Sequence, residues 1–292
     1  PRLPRHRSAY TLVDALALSH RGRMAPGSTQ ARPVGVPCVA HAVALTLIAR
    51  RGAGLAIEAV FFDFMGTLAR FVPEQEQLLS QAAGIHGVLM PPTAAHRGFA
   101  AAGAWWQQQM ARLPISLRTE RGRRELYRQF DLRVIRGAGF DLPVDHAEAI
   151  FTTMLDLGAG SRLEVYGDVA PTLATLAEDG YQLGVISNMD ASLRTTLAAL
   201  DLDAAFPIAV SSEEAGLAKP DPAIFRHTAA LAGLDPAVCA YVGDQPAIDL
   251  PGAQAAGFTA VLVDRANVHP DPDHAVRVRS LSEVPTLLTL LG

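Results

Sequence analysis

Five short apolar runs constrain this chain more than any other feature: Ala59–Phe62, Tyr181–Ile186, Pro207–Val210, Val238–Val242 and Thr259–Val263. Each is largely apolar at consecutive positions, so neither face of such a strand is meant for water. That is the pattern of a parallel sheet covered by helices on both sides. Helical segments alternate with the runs. Asp168 can cap a helix carrying Leu173 and Leu176, with Gly180 as its stop. Asp190 can cap the next, with Leu193, Leu197 and Leu200 on one stripe. Asp221-Pro222 starts a third that Gly233 closes, and Ser280 with Glu283 has capping-box spacing before the last. The predicted fold class is α/β, a doubly wound, Rossmann-like parallel sheet.

Residues 73–165 break the alternation. No strand is expected there. Thr93–Arg112, Thr119–Arg136 and Val144–Leu157 read as helices, the last opened by Asp145 with Glu148 three residues on. The predicted organisation is a core over 56–72 and 166–292, with an all-helical insertion over 73–165. Residues 1–55 carry eight arginines and one acid, Asp14, and lack clean periodicity. They read as a disordered N-terminal extension, set aside from the functional argument. Their longest apolar run, Val36 to Ala49, contains His41 and is too short to span a bilayer.

A net charge of -4 argues against a nucleic-acid binder by bulk electrostatics. The two cysteines, Cys38 and Cys239, fit no metal spacing and no disulfide scaffold, so a reducing cytoplasm is the expected setting. Cys239 lies in an apolar run and reads as a buried, inert thiol.

In open α/β sheets ligands bind beyond the carboxyl ends of the strands. The polar residues expected there are Asp63, Gly66 and Thr67, then Ser187-Asn188, then Gly243-Asp244 with Asp249, while Lys219-Pro220 precedes a capped helix. Together they can form a phosphate and magnesium site. Asp63 and Asp244 offer the hard oxygens that Mg²⁺ prefers, Lys219 offsets phosphoryl charge, and Ser187 and the Asn188 amide can donate to phosphoryl oxygens. Singly, each has an ordinary reading as a turn or helix start. Their order and spacing as a set carry the inference.

That order resembles the haloacid-dehalogenase (HAD) superfamily. The matching stretches are Phe61-Phe62-Asp63-Phe64-Met65-Gly66-Thr67-Leu68, Val185-Ile186-Ser187-Asn188, Lys219-Pro220-Asp221-Pro222-Ala223-Ile224-Phe225, and Tyr241-Val242-Gly243-Asp244-Gln245-Pro246-Ala247-Ile248-Asp249 followed by Gly252–Gly257. The resemblance spans about Ala56 to Leu291. It implies a nucleophile at Asp63, a phosphate contact at Ser187 and a charge-stabilising Lys219. It also implies a metal ligand at Asp244 with Asp249 in support, and the backbone carbonyl of Met65 facing Mg²⁺. The helical insertion looks like the family's cap, which closes over the site and selects the substrate.

The chain departs from the usual phosphatase form at Met65, where a second aspartate acts as general acid and base. A thioether transfers no proton. Three readings follow. One is a phosphatase acting on easy leaving groups, with water or a residue such as His86 or His96 standing in. The second is a 2-haloacid dehalogenase, whose halide needs no proton, with Phe99, Trp105 and Trp106 able to line an apolar pocket, although the adjacent tryptophans cannot share one helix face and at least one is expected to pack into the cap core. The third is a catalytically impaired binding protein. Retention of Asp244 and Asp249 favours the first, because dehalogenating relatives usually lose part of that acidic motif. The expected substrate is a small, anionic molecule and the expected state a monomer or homodimer. Eight arginines between Arg112 and Arg136 could form a basic lid or simply a solvated helix face, and His269 and His274 read as surface residues.

Overall fold

The computed structural model describes residues 56–113, 118–189, 191–267 and 276–291. Residues 1–55, the proposed Asp190 cap, His269 and His274 lie outside the described residues. The rest separates into two compact units, one of residues 71–163 and one of residues 56–70 with 164–291.

The second unit is a six-stranded parallel sheet. Its strands are β1 (Ala59–Phe62), β4 (Gln182–Ser187), β5 (Ile208–Ser211), β6 (Cys239–Gly243), β7 (Thr259–Val263) and β8 (Val276–Val278), in the order β5-β4-β1-β6-β7-β8. Phe62 of β1 aligns with Val185 on one side and Val242 on the other. The five apolar runs are therefore the five inner or adjoining strands, each within a residue of its expected position. Successive β1 side chains serve opposite layers. Phe61 joins a core with Phe225, Tyr241 and Phe258, whereas Phe62 meets Phe206 edge-on.

The helices of this unit are α5 (Val169–Glu178), α6 (Leu193–Ala199), the short α7 (Ser212–Ala215), α8 (Pro222–Ala232), α9 (Asp249–Ala256) and α10 (Val284–Leu291). Asp221 caps α8 through the Ala223 amide, and Gly233 ends it in the left-handed conformation. The Ser280–Glu283 capping box forms, around a 3-10 turn that leads into α10. Asp168 departs from expectation. It sits at the start of α5 without capping it, because its carboxylate is taken by Arg265, Ser280 and the Leu281 amide.

The first unit contains α1 (Gln75–Ile85), α2 (Pro92–Arg112), α3 (Glu120–Gly137) and α4 (Val144–Leu157). Thr119 caps α3 through Gly122, while α4 is preceded by Pro143 and holds Asp145 within its first turn, not at its cap. Two expectations fail. Helix α1 was not foreseen, although Leu78, Leu79, Ala82 and Ala83 bury one helical face. The region also contains strand β3 (Arg162–Val165), which pairs with β2 (Ala69–Val72) in a two-stranded ribbon. Both ribbon strands are four residues long, carry charges and are partly exposed, so they present no apolar run.

Trp106 and Phe99 are buried in the core of the helical unit, with Trp106 stacked on Tyr127 and edge-on to Phe130. They are committed to packing and are not free to line a pocket. Trp105 lies partly buried under the guanidinium of Arg133. Most arginines of the basic stretch have local partners. Arg118 bonds the Leu113 and Gln109 carbonyls, Arg123 the Arg118 carbonyl, and Arg124 and Arg128 pair with Glu120 and Glu125. Among the described residues no helix is long and apolar enough to cross a membrane.

Candidate active site

The sheet order changes direction at β1. The chain places β4 and β5 to one side of it and β6, β7 and β8 to the other. The crevice at such a switch point is where open α/β sheets bind ligands. Asp63 leaves β1 there, its amide bonded to the Val242 carbonyl. Ser187 ends β4 and Gly243-Asp244 ends β6, so three adjacent parallel strands deliver their polar residues to one rim.

Lys219 is the hub of the rim. Its Nζ lies 2.7 Å from Asp63 Oδ1, 2.7 Å from Asp249 Oδ1 and 2.7 Å from the Tyr241 hydroxyl. The lysine backbone is fixed as firmly. Its amide donates to Asn188 Oδ1 at 2.8 Å, and Asn188 Nδ2 donates to its carbonyl at 2.9 Å. Asp249 uses its second oxygen to accept the Gln245 amide at 2.9 Å. Asp249 therefore meets a partner at each of its oxygens.

The turn after β1 completes the rim. Residues 64–69 close on themselves through bonds from the Leu68 and Ala69 amides to the Phe64 carbonyl and from the Gly66 amide to the Ala69 carbonyl. Gly66 has φ of 83°, and a Cβ there would overlap the Asp244 carboxylate, so only glycine fits. Thr67 is buried, and its hydroxyl donates to Asp244 Oδ1 at 3.3 Å.

One oxygen from each of Asp63, Asp244 and Asp249 lies within 4.8 Å of the others. Opposite ligands of one Mg²⁺ are about 4.2 Å apart, given Mg–O bonds near 2.1 Å. Burial pushes the Asp63 carboxyl above the usual range despite Lys219, with Asp249 adding to the rise. Burial, reinforced by Asp63 and Asp249, pushes Asp244 well above it. Burial pulls the Lys219 ammonium down, but Asp249 and Asp63 outweigh it and hold the group above the ordinary lysine value. Three acids therefore lie close together, Asp63 and Asp249 buried and Asp244 half-buried, and a divalent ion is the group whose charge and hard-oxygen preference fit them.

A family description of haloacid dehalogenase-like hydrolases matches residues 57–257. The chain belongs to this hydrolase family. It is 30% identical over 212 residues to the human haloacid dehalogenase-like hydrolase domain-containing protein 3, covering 72% of this chain and 82% of that one. It is 36% identical over 126 residues to a phosphoserine phosphatase of Thermus thermophilus, covering 42% of this chain and 51% of the relative. It is 33% identical over 136 residues to the (S)-2-haloacid dehalogenase 4A of Burkholderia cepacia, covering 45% and 58% respectively.

Sequence reasoning did not pick out two groups in this HAD-like hydrolase. The first is Tyr241, whose hydroxyl touches Lys219, Asp249 and the Ile186 carbonyl. A lone phenol in an otherwise apolar buried strand was its signal, since a buried hydroxyl needs partners. The second is Arg265, just past β7, which reaches the Thr67 carbonyl. His86 and His96, considered as stand-ins for the missing aspartate, have partners within the helical unit. His86 bonds Thr153 at 2.8 Å, and His96 lies 3.5 Å from Glu76. Cys239 is buried, and burial pushes its thiol up to about 12, consistent with an inert side chain.

Proposed function

We propose that this hydrolase is a Mg²⁺-dependent phosphatase acting on a small phosphorylated metabolite, with Asp63 as the attacking carboxylate. The observation that carries the reading is the charge imbalance of the rim, where oxygens of Asp63, Asp244 and Asp249 lie within 4.8 Å of one another and Lys219 pairs with two of the three acids. Asp63, Asp244 and the backbone carbonyl of Met65 would hold the ion, with Asp249 bracing Lys219. Mg²⁺, when bound, offsets the charge of the phosphoryl oxygens and of the carboxylates.

The chain's own groups do the rest. Lys219 favours the ionised, nucleophilic form of Asp63. Ser187, the Asn188 amide and the Gly66-Thr67 segment would receive phosphoryl oxygens. An Asp63 oxygen bonds to phosphorus, and the bond from phosphorus to the leaving oxygen breaks. That oxygen departs with its electron pair and takes a proton from water, because Met65 has none to give. Water then attacks phosphorus of the aspartyl phosphate, releasing phosphate and restoring Asp63. The preferred substrates on this account are aryl or acyl phosphates, whose leaving groups need little protonation. Residues 73–165 would act as the cap that selects among them. The Thermus phosphoserine phosphatase supports a phosphate substrate.

Met65 and the Burkholderia relative favour a second reading, hydrolysis of a 2-haloacid. A panel of aryl phosphate, alkyl phosphate and 2-haloacid, run with Mg²⁺ and with EDTA, separates the two. Phosphate release that EDTA abolishes supports the phosphatase. Halide release that survives EDTA establishes the dehalogenase.

A further inference from the structure

We propose that Arg265 is a positioning residue for the cation site, acting through the turn that follows β1. The inference rests on the phosphatase reading above. Arg265 Nη2 donates to the Thr67 carbonyl at 2.8 Å. The same guanidinium grips Asp168 at two points, 2.8 and 3.1 Å, and its Cζ lies 3.8 Å from the Tyr166 ring centroid. Asp168 is itself anchored by the Ser280 hydroxyl at 2.7 Å and the Leu281 amide at 2.9 Å. The arginine is thus held rigidly on one side and spends its remaining reach on a backbone oxygen of the rim.

That oxygen belongs to a peptide group fixed at both ends. Its carbonyl meets Arg265, and its N–H, on Leu68, meets the Phe64 carbonyl at 2.8 Å. With the peptide plane set, the Thr67 side chain is directed at Asp244 Oδ1. A chain of contacts therefore runs from Asp168 through Arg265 and Thr67 to a carboxylate of the cation site. Tyr166 also lies against Arg70 of β2, so the same cluster secures the chain where β2 leaves the turn. Lysine cannot replace this arrangement. An ammonium lacks the planar fork that meets both Asp168 oxygens and the Thr67 carbonyl while lying over the Tyr166 ring. Groups that orient metal ligands without touching the metal change affinity by about 10- to 100-fold when removed.

The test is Mg²⁺ titration calorimetry on the full chain, with melting temperature measured in parallel. Arg265→Met is expected to weaken Mg²⁺ binding at least about tenfold, and Arg265→Lys to recover it only in part. Thr67→Val is expected to reproduce the loss, and the double variant to be no worse than either single one, because both break the same chain of contacts. Thr119→Ala removes the cap of α3 in the helical unit and touches none of these contacts, so it should lower the melting temperature and leave Mg²⁺ affinity unchanged. Where Arg265→Met does not fold, Asp168→Asn loosens the same grip and should weaken Mg²⁺ binding in the same direction. Wild-type affinity in a folded Arg265→Met variant, or an equal loss in Thr119→Ala, overturns the inference while the phosphatase reading stands. A wild-type chain that binds no Mg²⁺ overturns both.

Discussion

Replacing Lys219 with methionine tests the electrostatics of the site without altering its shape much. The ammonium is buried, with three partners at 2.7 Å, two of them carboxylates. Removing one member of a buried ion pair costs about 3–5 kcal/mol, because the charge left behind has no water to turn to. An exposed pair would cost about 0–1 kcal/mol. Against a total stability of about 5–15 kcal/mol, the buried figure is a large share. The pH dependence has a definite sign. The folded-state value of Lys219 is raised, so its contribution is complete below the ordinary lysine range and is fully present at pH 7. In the variant, Asp63 and Asp244 can escape repulsion by binding protons, which raised folded-state values already favour. The deficit should therefore shrink as pH falls from 7 toward 5. Mg²⁺ should shrink it too, by supplying replacement charge. Urea unfolding followed by circular dichroism, at both pH values and with and without Mg²⁺, measures all of this. A deficit below about 1 kcal/mol at pH 7, or one indifferent to pH, would refute the reasoning.

Other perturbations follow from the same geometry. Gly66→Ala forces a side chain to φ of 83° and into the Asp244 carboxylate, so the Mg²⁺ concentration needed for half-maximal activity should rise sharply, and an unchanged Mg²⁺ titration would contradict the described turn. Asp131 in the helical unit is buried, and burial together with Glu148 pushes its carboxyl well above the usual range. Its folded state holds the proton more tightly than the unfolded chain, so stability falls as pH rises from the ordinary carboxylate value up through the raised folded-state value. Asp131→Asn should then raise the melting temperature at pH 7, with the gain fading toward pH 4. Met65→Asp should raise turnover of alkyl phosphates by up to about 10²- to 10⁴-fold, the worth of general acid–base help, and a folded variant with no gain would count against the phosphatase.

The sheet was legible because buried parallel strands leave an unambiguous trace. Ala59–Phe62 and Thr259–Val263 are strands with the very limits their apolar runs suggested. The short, charged strands β2, β3 and β8 leave no such trace, since half-exposed positions tolerate Arg70, Arg162 and Arg277. Helix α1 was missed because Gln and Glu at its start and Gly84 near its end mask a buried face only four residues strong. The convergence of Asp63, Lys219, Asp244 and Asp249 could be foreseen, because strand ends in a doubly wound sheet share a rim. The commitments of individual side chains could not. Asp168 turned from a helix cap into the anchor of Arg265, because long-range partners outweigh local pattern, whereas the adjacency of Trp105 and Trp106 already required one of them to pack inward, as Trp106 does.

The proposed role of Asp63 as nucleophile beside a bound cation is tested most directly by mass spectrometry of the enzyme during turnover. With no acid–base partner at position 65, hydrolysis of the aspartyl phosphate should be the slow step. Mixing enzyme, Mg²⁺ and an aryl phosphate should then give a burst of aryl alcohol and a peptide carrying phosphate at Asp63, both absent with EDTA or in Asp63→Asn. Turnover of the aryl phosphate that persists in Asp63→Asn would contradict it.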